Sequence, residues 1–199
     1  MNVIGLTGGT GSGKGVVSQC LKAQGAAIID ADLIAHDIIK KGRPAYAELV
    51  NYFGEGILQE DGQIFRRKLG EIVFREKEKL EFLNQCTHKY IAQEIQLQIQ
   101  ELKEQNNAKC IIIDAPLLVE AGLVEICDAI WVVYADEEVR ARRIIERDGV
   151  TYEMAMARIG NQKSWAEYKS YAQEIIDNSS SLENVQAQVT SLMKKYGQN

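Results

Sequence analysis

Gly8-Gly9-Thr10-Gly11-Ser12-Gly13-Lys14 sets glycines and a lysine in a G-x-x-x-x-G-K array. An apolar run, residues 2–7, leads into it, and an amphipathic stretch, residues 16–23, leads out. That is the strand–loop–helix setting such an array requires. Backbone N–H groups of the loop can turn inward around phosphate oxygens because no Cβ stands in the way. The helix that follows adds the partial positive charge of its N-terminus. Lys14 can reach the β- and γ-phosphates of a nucleotide. A merely tight strand–helix turn leaves the lysine and four glycines in six positions without a reason. The next position normally offers a Ser or Thr hydroxyl to Mg²⁺; here it is Gly15. The loop therefore supplies no direct metal ligand, and Asp32 or Asp114 is left to hold the ion through water.

Ile28-Ile29-Asp30-Ala31-Asp32 places two carboxylates just past a second apolar run. Ligands of open α/β sheets bind outside the carboxyl ends of the strands. If strand alternation continues, Asp30 and Asp32 face the same side. A carboxylate there can take the proton of an attacking hydroxyl or hold the metal. The competing role is the N-cap of a helix starting near Leu33. Arg140, Arg143 and Arg147 recur at i, i+3, i+7 and share one helix face, with Arg142 pointing elsewhere. That face is either solvated and paired with Glu138 or Glu146, or it stabilises charge in phosphoryl transfer. Arg66-Arg67-Lys68 is the other dense basic run.

The elements that must carry these residues follow from apolar periodicity. Residues 2–7 read as a strand, 16–23 as a helix with Gly25 in a C-cap position, and 26–29 as a buried strand ending at Asp30. Strand, helix, strand in so short a span predicts a βαβ unit and a parallel sheet. From Leu33 to Gln105 the pattern is helical: Pro44 opens a helix over 45–53, Asp61-Gly62 is a turn, and helices cover 66–74 and 80–104, with a possible break near Thr87-His88. Sheet logic returns at 110–113, which ends in Asp114-Ala115-Pro116, and at 129–134. Continuous apolar runs suit strands covered on both faces. Residues 138–147, 152–159 and 182–196 are helical, and 174–178 form a short last strand. Trp131, mid-strand, reads as core.

Composition bounds the function. The 199 residues, 46% hydrophobic, sustain a packed core and exclude a disordered chain. A net charge of −5 excludes the broad basic field of a nucleic-acid or anionic-membrane surface. No apolar run approaches a membrane span, and the first residues lack a basic n-region. Cys20, Cys86, Cys110 and Cys127 show no C-x-x-C spacing and read as free thiols of a cytoplasmic protein. With His36 and His88 as the only histidines, a multi-His metal site is excluded.

Taken together, these residues resemble the dephospho-CoA kinases. Leu6-Thr7-Gly8-Gly9-Thr10-Gly11-Ser12-Gly13-Lys14 and Ile29-Asp30-Ala31-Asp32 with Ile34-Ala35 are similar to that family's start. Ala115-Pro116-Leu117-Leu118-Val119-Glu120 resembles its Pro-Leu-Leu-x-Glu segment. Arg143 and Arg147-Asp148 resemble its lid arginines, and Ile176-Asp177-Asn178 its C-terminal strand. The resemblance implies an α/β P-loop kinase with a parallel sheet flanked by helices: one domain over 1–199, with a helical CoA-binding insert at 36–105 and a lid at 138–170. It implies transfer of the ATP γ-phosphate to the ribose 3′-hydroxyl of dephospho-CoA, the last step of coenzyme A synthesis, with Mg²⁺. It implies Asp32 as general base, Lys14 on the phosphates, and Arg143 and Arg147 on the transferring group. Gly9, Thr10, Gly11, Ser12, Gly13, Lys14, Gly15, Val16 and Asn178 are its ATP set. Thr7, Asp32, Arg66, Arg67, Pro116, Leu117 and Leu118 are its acceptor set, the arginines suiting a pyrophosphate. ATP and dephospho-CoA are the partners of a monomer, without nucleic acid or membrane.

Gly15 departs from that family's usual Ser, Lys89 from a frequent Pro, Tyr168 from a frequent basic residue and Gln173 from an Asp. Adenylate kinase-type loops also read Gly-Lys-Gly, but that reading leaves Asp30-Ala31-Asp32 unexplained. A GTPase needs an Asn-Lys-x-Asp segment, which is missing. A nucleotide-binding switch without turnover has no need of the base and lid arginines, and both are here.

Overall fold

The computed structural model describes residues 1–197. The glycine array separates strand β1 (Val3–Thr7) from helix α1 (Lys14–Ala23), and β2 (Ala27–Asp30) follows. Helices α2 (Ala31–Asp37), α3 (Pro44–Phe53), α4 (Arg66–Val73) and α5 (Lys77–Gln105) come next. Strands β3 (Ile111–Asp114) and β4 (Ala129–Tyr134) then precede α6 (Glu137–Asp148), α7 (Tyr152–Gly160) and α8 (Trp165–Tyr171). Strand β5 (Glu174–Asp177) and helix α9 (Leu182–Tyr196) close the described chain.

The strands form one five-stranded parallel sheet in the order β2-β3-β1-β4-β5. Val3 pairs with Ile111, Ile4 with Ala129, and Trp131 with Glu174. Every residue of β1 and β3 is buried, as continuous apolar runs demand. The core over one face gathers Ile4, Leu6, Val17, Leu21, Ile112, Trp131 and Ile176 with Val185 and Val189 of α9. Trp131 is fully buried there, its ring 5.3 Å from that of Tyr196. From β1 the chain crosses through α1 to β2 at one edge; from β4 it crosses through α6–α8 to β5 at the other. These adjacent strands thus send their crossovers opposite ways, which opens a ligand crevice at their carboxyl ends.

The chain divides into two compact units, one of residues 1–29 with 101 onward, the other of residues 30–100. In the second, Ala45, Leu49, Ile57, Leu69 and Val73 are buried, and Tyr52 stacks on Phe82 at 3.7 Å. Among the described residues no helix is long and apolar enough to cross a membrane.

Four local expectations change. Helix α5 runs unbroken through Thr87-His88, where Thr87 Oγ1 donates back to the Leu83 carbonyl at 2.8 Å and so finds its partner inside the helix. The C-cap of α1 is Gln24, with Gly25 one residue beyond at φ +97°. Strand geometry stops at Asp30, so alternation does not carry Asp30 and Asp32 to one side. Asp30 itself is the N-cap of α2, accepting from the Asp32 and Leu33 amides at 2.9 and 3.0 Å. Helix α8 has no counterpart in the periodicity reading. It is started by a capping box in which Ser164 and Glu167 exchange hydrogen bonds.

Candidate active site

The loop between β1 and α1 lies at the crevice between β1 and β4. Gly13, the N-cap of α1, sits at φ 83°, ψ 28°, and among the described residues it brings no side-chain cap to the helix. The first amides of α1 are thus left to face an anion. A Cβ at Gly13 would collide with Asn178 Nδ2, and one at Gly11 (φ +76°) would stand 2.6 Å from the Arg140 carbonyl oxygen. Both positions need glycine because the loop is pressed against its supports in a left-handed conformation.

Those supports are polar and specific. Asn178 is buried; its side-chain amide donates to the Ser12 carbonyl at 2.8 Å, and its backbone N–H donates to the Tyr134 carbonyl. From α6, Arg140 Nε donates to the Thr10 carbonyl at 2.9 Å. Arg143 Nη1 donates to the Gly11 and Ser12 carbonyls at 3.4 and 3.3 Å, and its Nη2 to the Asn178 carbonyl at 2.9 Å. Burial lowers the pKa of the half-buried Arg140 guanidinium from its ordinary value. Arg147 sits apart: its Nε and Nη2 donate to Asp148 at 2.7 and 2.9 Å, and its side chain is 61% exposed.

Lys14 pairs with Asp114 at the end of β3, and both side chains are largely shielded. Thr7 Oγ1 donates to the Pro116 carbonyl at 3.2 Å, tying the end of β1 to the segment after β3. Leu118 is fully buried, whereas Leu117 is exposed. A cavity of about 20 Å³ lies against the loop, lined by Gly9, Ser12, Val133, Tyr134, Ala135, Arg140, Trp165 and Tyr168. The Ser12 hydroxyl is buried there without a hydrogen-bond partner among the described residues. Trp165 packs on Tyr134 at 4.5 Å. Burial raises the pKa of the Tyr168 phenol. Gln173 has a structural use: its Oε1 accepts the Ile130 N–H of β4 at 2.6 Å.

The fold therefore brings together Thr7, the loop from Gly9 to Lys14, Asp114, Pro116, Asn178 and Arg143. Gly15 and the exposed Val16 continue along α1. Asp32, Arg66 and Arg67 belong to the second unit. There Asp32 is an exposed residue in the first turn of α2. Arg66 Nη1 lies within 2.6 Å of the His36 ring nitrogens, and Arg67 Nε pairs with Glu71 at 3.3 Å. Arg140, which helical spacing sets on one face with Arg143, is a loop contact as well. Gln162, also on the loop, left no such signal. Burial pushes the Cys86 and Cys110 thiols up to about 11, so neither is a reactive thiolate at neutral pH.

Comparison with known proteins identifies the family. The family model described as dephospho-CoA kinase matches residues 2–184. The dephospho-CoA kinase of Carboxydothermus hydrogenoformans is 45% identical over 98% of this chain and 94% of that protein. That of Shouchella clausii is 40% identical over 96% and 97%. A solved dephospho-CoA kinase from Campylobacter jejuni superposes with a TM-score of 0.73, at 28% identity over 98% of this chain and 96% of that one. A shikimate kinase from Acinetobacter baumannii, at 12% identity and a TM-score of 0.53, shares the fold alone. The loop, the arginine helix above it and the sheet beneath all fall within the matched residues, and the chain belongs to the dephospho-CoA kinase family.

Proposed function

We propose that this enzyme transfers the γ-phosphate of ATP to the 3′-hydroxyl of dephospho-CoA. The observation that carries the reading is the uncapped N-terminus of α1 behind Gly13, with Lys14, Arg140 and Arg143 arrayed around the loop. Lys14 exchanges Asp114 for the β- and γ-phosphates. The 3′-oxygen attacks the γ-phosphorus as its proton passes to Asp32; the bond to the β,γ-bridging oxygen breaks and ADP leaves. Arg143, and Arg147 once released from Asp148, offset charge on the transferring group. The helical insert at 36–105 holds the acceptor, with Arg66 and Arg67 on its pyrophosphate, and the region at 138–170 closes as a lid. The enzyme works as a cytoplasmic monomer. A coupled ADP-release assay over a panel of acceptors tests this. Dephospho-CoA is expected to turn over far faster than adenosine or AMP; equal turnover of AMP would overturn the assignment.

The donor set suits Mg²⁺ carried mostly by the nucleotide. Among the described residues no three His, Cys, Asp or Glu side chains cluster as a metal site. Mg²⁺ commonly binds one or two carboxylates beside phosphate oxygens and water. Asp114 or Asp32 would serve through water, and the bound ion would neutralise phosphate charge. A Cβ at Gly15 meets nothing within 4 Å, so a serine fits. Gly15→Ser is expected to keep activity and to lower the Mg²⁺ concentration for half-maximal rate, read by titration at fixed ATP. Inactivity of a folded Gly15→Ser protein would show that the site requires the absence of that side chain.

A further inference from the structure

Gln162 lies between the end of α7 and the start of α8, and its side chain reaches back to the glycine loop. Its Oε1 accepts the Thr10 backbone N–H at 2.7 Å and an Arg140 Nη2 hydrogen at 3.2 Å. Both partners are obligate donors, so the oxygen and not the amide nitrogen faces them. One backbone N–H and one guanidinium N–H are also the pair of donors a phosphate oxygen would seek in this loop. The same oxygen covers Gly9: a Cβ there would stand 3.1 Å from it and collide with the Arg140 guanidinium. The Gln162 backbone is anchored by its N–H to the Ile159 carbonyl at 3.2 Å, while Ser164 caps α8 two residues later. The side chain is thus held out from a short joint between two helix ends.

We infer that Gln162 is a phosphate surrogate, a latch that occupies an anion position of the loop until ATP displaces it. This rests on the reading that ATP phosphates enter this loop. A charged phosphate oxygen binds the same donors more strongly than a neutral amide carbonyl, so the exchange runs toward the nucleotide. Displacement frees the 161–164 joint and shifts Trp165, which begins α8 and rests on Tyr134. The position therefore sets ATP affinity and couples it to movement of the 138–170 region.

Equilibrium ATP binding by calorimetry tests this in the whole enzyme, together with tryptophan fluorescence. Gln162→Ala removes the competitor and is expected to tighten ATP binding about two- to tenfold. Gln162→Glu puts a carboxylate on the same donors and is expected to weaken it about tenfold. Opposite shifts are the signature, since loss of a purely structural contact would weaken binding in both. In the unaltered enzyme ATP should change the Trp165 emission, isolated by comparison with Trp165→Phe. Gln162→Ala should show much of that change before ATP is added. Weaker or unchanged ATP binding in Gln162→Ala overturns the latch. A Lys14→Ala control separates the two levels: if it leaves ATP binding intact, the loop reading itself fails.

Discussion

Asp32→Asn is expected to lower kcat by about 10²–10⁴-fold, the usual span for loss of a general base, with ATP affinity nearly unchanged. The two aspartates after β2 differ in the fold, where Asp30 is taken up as the N-cap of α2. Asp30 Oδ1 already accepts two amides at the start of α2. Asp32 is one of those amide donors and lies in the first turn of that helix, past the cap position that Asp30 fills. Asparagine caps a helix about as well as aspartate, so Asp30→Asn should keep both the helix and most of kcat. In the proposed reaction Asp32→Asn would remove the proton acceptor needed only as the 3′-hydroxyl attacks, so kcat and kcat/KM for dephospho-CoA should fall together. Steady-state kinetics of both variants, with ATP binding measured separately, decide the point. Near-normal kcat in Asp32→Asn, or an equal loss in Asp30→Asn, would mean the base lies elsewhere.

How much of this was legible depends on the kind of signal each residue leaves. The loop is readable because glycines and a lysine at fixed spacing do one thing well, and β4 is readable because six apolar residues in a row must be covered on both faces. That same two-sided burial erases any face preference. Nothing in β1, β3 or β4 therefore announces the order β2-β3-β1-β4-β5, which comes from how the crossovers pack. The start of α8 was written in Ser164 and Glu167 as a capping box, although its apolar periodicity is weak. Thr87-His88 illustrates the opposite error: the expected break is absent, and the helix runs straight through with the Thr87 hydroxyl on the Leu83 carbonyl. Gln162 was illegible because a polar residue in a loop carries no spacing that points to the Thr10 amide, 152 positions away.

Arg143→Ala is expected to cost about 10²–10³-fold in kcat, the loss seen when one donor aimed at developing charge is removed. Helical spacing treats Arg140, Arg143 and Arg147 as one face, and the structure divides them. Four residues of helix advance about 6 Å, which takes Arg147 to the end of α6, where Asp148 holds both arms of its guanidinium. Arg143 instead spans the Gly11 and Ser12 carbonyls and the Asn178 carbonyl, beside the loop amides that would face phosphate. Arg147→Ala should therefore lower kcat less than Arg143→Ala. Arg66→Ala should chiefly raise KM for dephospho-CoA, since a pyrophosphate is equally charged in the ground state and the transition state. Arg143→Lys keeps the charge and loses the planar fork, so it should recover part of the lost rate. A thermal melt of each variant separates loss of loop support from loss of charge stabilisation: a folded Arg143→Ala enzyme with normal melting and low kcat carries the catalytic reading. A kcat loss larger in Arg147→Ala than in Arg143→Ala would overturn it, and would mean that α6 delivers its C-terminal arginine to the phosphates.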